Sequence, residues 1–319
     1  MRRTMICLHG FTPEQEAVLR AAAPEWDIHS GRTGAIDAAV YRQAEIICGW
    51  NGEAARECLK PEARLRWVQT WSAGVDKLPL EALRRKGVLL TDAGGVHPAP
   101  VAETTLALML GLTRGIHHAV RDQAAARWGK PPALPEMYGK TAAIVGAGSI
   151  GARIGRLAQA FGMRTLGVRR SGREAPGIDR MYGLGQLDEA LAASDYVVNV
   201  LPYTASTHHL FNAERFAAMK PSALFINVGR GRTVDTGALI AALEHGRIAG
   251  AGLDVFEEEP LPPGHPLWKL DNVLLTPHTG GQTDQLQARV AALFADNLKR
   301  YLSEGASGLL NLVDYDKGY

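Results

Sequence analysis

Thiols are scarce. The chain has three cysteines in 319 residues, and Cys7, Cys48 and Cys58 form no Cys-x-x-Cys pair. An odd, widely spaced set argues against both a disulfide framework and a zinc knuckle, and a reducing cytoplasm is the expected compartment. Charge imbalance is nearly absent as well: the formal net charge is only +2, without the basic stripe that nucleic-acid binding relies on. No run approaches the roughly 18 apolar residues of a membrane span. The opening MRRTMICLHGF has a short apolar run, broken by His9 and Gly10, that leads straight into the helical pattern PEQEAVLRAAA. It reads as a first strand rather than a signal peptide. His97, His117 and His118 lack partners at ligand spacing, so no metal is expected. What is present is ordinary globular composition, 46% hydrophobic and 21% charged, in a chain long enough for two domains.

Along the first hundred residues short apolar runs alternate with helical patterns: TMICLHG, 13–23, AEIICGW, LRWVQTWSAG, a helix near 79–86, and VLLTDAG. That rhythm predicts a parallel sheet with crossover helices. A long helical stretch, from Ala99 to Trp128, follows the His97-Pro98 break. A second α/β unit then begins at GKTAAIVGAGSIGARIGRLAQAFG. Its further strands are expected at 164–169 and in DYVVNVLP, ALFINVGRG, GAGLDVF and NVLLTPHTGG, six in all. A last helix, 283–304, is expected to dock on the N-terminal unit. The fold class is therefore two doubly wound parallel-sheet α/β domains with a cleft between them. One is discontinuous, 1–98 plus 282–319, and the other spans 99–281, with hinge closure expected at the two crossings.

Gly146, Gly148 and Gly151 form G-x-G-x-x-G between an apolar strand and an amphipathic helix. That context brings a pyrophosphate against backbone N–H groups at a helix start, and predicts dinucleotide binding over a structural turn or a methyltransferase-like site. An acidic residue is expected about 20 residues further on, where it would accept from the ribose hydroxyls. The sequence has Arg169 and Arg170 there, followed by Ser171, with Arg173 two residues beyond. Arginine cannot accept, whereas the 2′-phosphate of NADP supplies acceptor oxygens and negative charge. NADPH is therefore the expected cofactor and NAD the alternative; the other reading of these residues is a solvated basic loop.

In an open parallel sheet ligands gather beyond the carboxyl ends of the strands. Arg230, Asp254, Glu259 and His278 all follow that rule. Arg230 lies between two glycines and has little local packing role, and its planar fork suits a carboxylate. A bare strand-end histidine can equally be structural, and Glu257 and Glu258 can be a solvated face.

The ordered set SAGVD at 72–76, VAET at 101–104, the glycine loop, NVGRG, GLDVFEEEP and PHTGG resembles the D-isomer-specific 2-hydroxyacid dehydrogenase family over nearly the whole chain. GWNG and WSAGVD are most similar to its glyoxylate and hydroxypyruvate reductase branch. The resemblance implies that His278 is the general acid for a 2-oxoacid carbonyl, that Glu259 bonds the imidazole and favours its charged form, and that Arg230 binds the substrate carboxylate. It implies that the amides of Ala73, Gly74 and Val75 take the other carboxylate oxygen. Trp50 and Trp71 read either as apolar walls around a small substrate or as core residues, and with Asn51 they bear on the pocket's shape. Ser149 and Ile150 of the glycine loop, Thr105, Pro202, Thr207, Val228 and Gly280 would line the cofactor, and Asp254 would orient the nicotinamide carboxamide. A homodimer built through the cofactor domain is expected by the same analogy. Three rivals stand beside a glyoxylate or hydroxypyruvate reductase. One is an NAD-dependent enzyme for another 2-hydroxyacid, such as a phosphoglycerate type. A formate dehydrogenase is disfavoured by the Glu259 and His278 pair. A cofactor-sensing binding protein is disfavoured by the intact Arg230, Glu259 and His278.

Overall fold

A strand buried on both faces reads as a near-continuous apolar run, and RTMICL forms β1 (Arg3–Leu8) in the computed structural model, which describes residues 2–31, 34–130 and 134–318. Thr12 starts α1 (Pro13–Ala22). Its hydroxyl accepts the Gln15 amide at 3.3 Å and the Gln15 side chain accepts the Thr12 amide at 3.0 Å, which satisfies two orphan donors reciprocally. There follow β2 (Trp26–Gly31), α2 (Ala38–Gln43), β3 (Ala44–Cys48), α3 (Gly52–Cys58), β4 (Trp67–Gln69), α4 (Leu80–Arg85) and β5 (Leu89–Thr91). The five strands are all parallel, in the order β2-β1-β3-β4-β5, which is the flavodoxin-like winding. Successive side chains of β1 serve opposite faces: Met5 and Cys7 enter one core and Ile6 and Leu8 the other. Burial pushes the Cys7 and Cys48 thiols well up, and Cys58 to about 12, so these cysteines are packing groups and not nucleophiles.

The sequence pattern does not reveal β2, α2 or α3. β2 is an edge strand with one neighbour, and its WDIHSG carries only Trp26 and Ile28 as large apolar residues.

The second unit, Pro98–Gln282, opens with α5 (Pro98–Thr113). The single long helix expected here is in fact two, because Gly115 takes left-handed backbone at φ 64° and α6 (Ile116–Ala124) starts afresh. Then come β6 (Thr141–Val145), α7 (Ser149–Ala160), β7 (Arg164–Val168), β8 (Arg180–Tyr182), α8 (Leu187–Ala193), β9 (Tyr196–Asn199), α9 (Ala213–Ala217), β10 (Leu224–Asn227), α10 (Thr236–Glu244), β11 (Gly250–Leu253) and β12 (Val273–Leu275). The sheet runs β12-β11-β10-β9-β6-β7-β8 and is parallel throughout. It has seven strands where six were expected; the extra one is the three-residue β8, whose RMY carries no apolar run. Ala143 and Val145 of β6 face the layer of α8, α9 and α10, while Ala142 and Ile144 face α5 and α7.

The chain then returns to the first unit, which comprises the residues up to His97 and those from Thr283. There α11 (Leu286–Glu304) packs Val290, Phe294 and Leu298 into the core that holds Met5 and Trp67, with the Trp67 and Phe294 rings 5.4 Å apart. Among the described residues no helix is long and apolar enough to cross a membrane.

Candidate active site

In the second unit the sheet winds outward from β6, with β7 on one side and β9 on the other, so a crevice opens at the carboxyl end of β6. The glycine loop occupies it. Gly146 sits at φ 106°, and a Cβ there would lie 2.9 Å from the Val200 backbone; a Cβ on Gly151 would lie 2.6 Å from the Gly146 carbonyl oxygen. Gly148, by contrast, faces open space. It caps α7 with no side-chain acceptor, which leaves the first-turn amides of Ser149, Ile150 and Gly151 directed at an incoming anion. The cradle therefore fits a pyrophosphate.

Arg169 follows the end of β7, half-buried. Its Nη2 donates to the Glu174 carbonyl at 2.6 Å and its Nη1 to the Ala147 carbonyl at 3.4 Å, while Nε is buried without a hydrogen-bond partner. Arg170 and Ser171 are exposed on the turn beside it. Beyond β9, the Thr207 hydroxyl donates to the Pro202 carbonyl at 2.8 Å and accepts the Thr204 amide at 2.8 Å, which folds this loop back on itself. Val228 is buried just past β10. Thr105 is fully buried, its hydroxyl donating to Val101 at 2.7 Å one helical turn back. It is the neighbouring Thr104 whose methyl lies within 3.5 Å of the Cβ position of Gly280.

The chemistry-bearing groups come from the loops after β10, β11 and β12. His278 adopts φ 53°, and both Glu259 carboxylate oxygens lie 2.9 Å from its Nδ1. With Nδ1 engaged, Nε2 is the nitrogen left for other partners. Glu259 Oε1 also accepts the Phe256 amide at 3.2 Å, which fixes the carboxylate itself. Arg230 follows β10, half-buried, with Nη1 donating to the Gly229 carbonyl at 2.8 Å. No Cβ fits at Gly231, since it would fall 1.9 Å from Phe256, so this loop and the one carrying Glu259 pack backbone against backbone. Of the neighbouring acids, Glu257 accepts the Thr236 amide at 2.9 Å and pairs with His209 at 2.5 Å. Burial alone would push the Glu257 carboxyl up, but these partners outweigh it and hold it below the usual range. Glu258 is exposed.

Asp254, only 2% exposed, takes the Thr276 hydroxyl at 2.6 Å and the Thr279 amide at 3.0 Å on Oδ1, and the Gly280 amide at 2.9 Å on Oδ2. One buried carboxylate thus clamps both flanks of His278. Sequence reasoning missed this role, and it missed Thr104, Asn199, Asn227 and Thr233. The only signal for the asparagines is a polar residue closing each of the apolar runs YVVN and LFIN.

In the first unit, the Ala73, Gly74 and Val75 amides have no acceptor among the described residues, while the Ser72 hydroxyl donates to the Gly74 carbonyl at 2.7 Å. Trp50 is half-buried against the core. Asn51 caps α3, its Oδ1 accepting the Ala54 amide at 2.7 Å, and its Nδ2 donates to the Tyr41 hydroxyl at 3.2 Å. Trp71 stacks on Phe11 with ring centroids 5.7 Å apart. Among the described residues no cluster of three or more His, Cys, Asp or Glu could hold a metal.

A dinucleotide-type sheet with an imidazole and carboxylate pair at its carboxyl edge is the arrangement of a nucleotide-dependent oxidoreductase. Residues 106–280 match the NAD binding domain of the D-isomer specific 2-hydroxyacid dehydrogenases, and the chain belongs to that family. It is 40% identical over 270 residues to glyoxylate/hydroxypyruvate reductase B of Shigella boydii, a match that covers 82% of each chain. A D-isomer specific 2-hydroxyacid dehydrogenase family protein of Aeromonas salmonicida superposes with TM-score 0.86 at 36% identity, covering 99% of this chain and 100% of that one. The NADPH-dependent glyoxylate/hydroxypyruvate reductase of Sinorhizobium meliloti, solved with NADP and malonate, does so with TM-score 0.78 at 30% identity, covering 99% and 98%.

Proposed function

We propose that the protein is an NADPH-preferring reductase of small 2-oxoacids, glyoxylate and hydroxypyruvate first among them, and that it forms D-2-hydroxyacids. The observation that carries this reading is the His278 and Glu259 pair on strand-end loops of a dinucleotide-type sheet, with Arg230 after the adjoining strand β10. Likeness to the Shigella boydii and Sinorhizobium meliloti enzymes supports the substrate class. The cofactor preference is supported by Arg169, with Nε unpaired, and by the exposed Arg170 and Ser171. We assign the cofactor to the unit Pro98–Gln282 and substrate recognition by Trp50, Asn51 and the Ala73, Gly74 and Val75 amides to the other.

When bound, reduced nicotinamide supplies the hydride that adds to the carbonyl carbon. Arg230 holds the substrate carboxylate through its planar fork and draws electron density from the adjoining carbonyl. Glu259 keeps the imidazole ring in one orientation through Nδ1, and His278 delivers a proton from Nε2 to the carbonyl oxygen. One hydride and one proton convert the 2-oxoacid to the 2-hydroxyacid.

Steady-state kinetics over a panel of 2-oxoacids, with NADPH and NADH in parallel, test the proposal. Glyoxylate and hydroxypyruvate should give the highest kcat/KM, with NADPH favoured. His278→Ala should lose about 10²- to 10⁴-fold in kcat. Absence of turnover with every 2-oxoacid, or wild-type kcat in the alanine variant, refutes it.

A further inference from the structure

Behind the two loops that reach the site lies a fully buried polar cluster that the reaction as described does not use. Asn199 closes β9 and Asn227 closes β10, and parallel pairing sets them side by side. Together with Thr233 they are 0%, 1% and 0% exposed. Asn199 Nδ2 donates to Asn227 Oδ1 at 3.0 Å and to Thr233 Oγ1 at 2.7 Å, while its Oδ1 accepts the Leu201 amide at 3.2 Å. Asn227 Oδ1 also accepts the Gly229 amide at 3.1 Å, and its Nδ2 donates to the Arg230 carbonyl at 3.3 Å. The Thr233 hydroxyl donates to that same carbonyl at 2.6 Å, and the Thr233 amide reaches it at 3.3 Å.

Buried amides without partners are costly, so such a cluster holds one arrangement or none. Here the direction of every bond is fixed. Both Asn199 N–H groups are in use, so its oxygen must face Leu201. Asn227 Oδ1 takes two donors, so its NH₂ must face Arg230. Thr233 accepts from Asn199, so its hydroxyl proton must point at Arg230. Three donors converge on one carbonyl, that of Arg230, and the same cluster anchors Leu201 at the start of the loop containing Pro202. The two loops touch directly as well: a Cβ on Gly229 would lie 2.7 Å from the Leu201 carbonyl oxygen.

We infer that Asn199, Asn227 and Thr233 are positioning residues that set the Arg230 guanidinium for the 2-oxoacid carboxylate. This rests on the reading of Arg230 as the carboxylate-binding group. The cluster acts on backbone, so it fixes where the arginine side chain starts. Because it ties the Arg230 loop to the Leu201 loop, it places substrate and cofactor contacts on one rigid support.

Thr233→Val keeps the shape and removes the hydroxyl. The expected result is a rise of about 10- to 100-fold in KM for the 2-oxoacid, since small misplacements of an orienting group have effects of that order. NADPH affinity should change by less than about twofold, because the Asn199 bond to the Leu201 amide, which anchors the cofactor-side loop, is left in place. Thr233→Ser, which restores the hydroxyl, should return KM to within about threefold of wild type. The decisive measurement is a double-mutant cycle. If Thr233 works through Arg230, then on an Arg230→Ala background Thr233→Val should change KM by less than about twofold. Equal KM increases in both backgrounds, or a folded Thr233→Val with wild-type KM, overturn the inference. Should Thr233→Val not fold, Asn227→Asp carries the same cycle, because it sets a carboxylate oxygen against the Arg230 carbonyl. Unchanged KM in Arg230→Ala alone overturns the carboxylate reading, and the inference with it, through a separate result.

Discussion

Removing the Arg169 side chain should cost NADPH affinity and leave NADH nearly untouched. In the free enzyme the guanidinium is already engaged, with Nη2 on the Glu174 carbonyl at 2.6 Å and Nη1 on the Ala147 carbonyl at a weaker 3.4 Å. A charge-assisted bond to a 2′-phosphate contributes roughly 1.5–3 kcal/mol, and giving up the Glu174 bond takes back roughly 0.5–1.5. The net spans about 0–2.5 kcal/mol with its centre near 1.3, or about eightfold in Kd. The buried Nε has no hydrogen-bond partner, so any swing that supplies one adds to the gain. Arg170 is exposed, so losing it alone should cost less, about 0.2–1 kcal/mol by the measure of surface ion pairs.

The assay is titration of wild type, Arg169→Ala and Arg169→Asp with NADPH and NADH, followed by nucleotide fluorescence at low and moderate salt. Alanine should narrow the preference. Aspartate should narrow it further or invert it, since it offers the ribose hydroxyls an acceptor and repels the phosphate. The NADPH advantage should also shrink as salt rises, because the contact is partly exposed and screening acts over about 8–10 Å at physiological strength. Equal losses for the two nucleotides in Arg169→Ala, or no loss for NADPH, would refute the phosphate role.

Two further outcomes follow from hydrogen-bonded carboxylates. Asp254→Asn replaces an acceptor of three bonds by a group that must turn its NH₂ toward a donor. It should destabilise the protein by about 1–3 kcal/mol and lower kcat by loosening the His278 loop, as thermal unfolding and single-turnover kinetics would show; unchanged kcat would count against the clamp. Asp195 accepts the Thr141 amide at 2.9 Å and Lys220 at 3.0 Å. Burial opposes these bonds, yet they hold its carboxyl below the usual range. A depressed folded value means that the stabilisation is complete above the unfolded value of about 3.9 and fades as pH falls through the folded one. The stability gap between wild type and Asp195→Asn, from urea unfolding, should therefore be widest near neutrality and close in acid; a gap independent of pH would exclude the linkage.

How much of this was legible in the sequence depended on whether the signal was local. TAAIV followed by three glycines announces β6, the tight turn and the start of α7, because each of those needs only its neighbours. Arg230 and His278 stood out for the same reason, each falling just past an apolar run, whereas only the family resemblance singled out Glu259 from Glu257 and Glu258 beside it. β8 escaped notice since RMY has no apolar run, and the break between α5 and α6 turned on one backbone angle at Gly115 that apolar periodicity does not encode. The Asn199, Asn227 and Thr233 cluster was invisible for a different reason. Its meaning lies in the register of β9 against β10, and nothing within either strand states which residue will stand beside it.

The same distinction explains how the site is built. A general acid and a carboxylate-binding arginine need exposed, polar tips, yet their geometry must be held closely, and exposed side chains are poor at holding one another. Here the holding is done from behind. His278 takes left-handed backbone at φ 53°, a conformation costing a non-glycine residue roughly 1–2 kcal/mol, and the three bonds from Thr276, Thr279 and Gly280 to Asp254 more than offset that cost. Arg230 is fixed through its carbonyl by groups no more than 1% exposed. Each reactive tip is thus paired with a buried polar anchor: Asp254, past the neighbouring strand β11, for His278, and Asn227 and Thr233, from its own strand end and loop, for Arg230. Moving an anchor displaces the tip without changing its chemistry, so substitutions at Asp254 or Thr233 should alter where a reactive group stands and not how strongly it reacts.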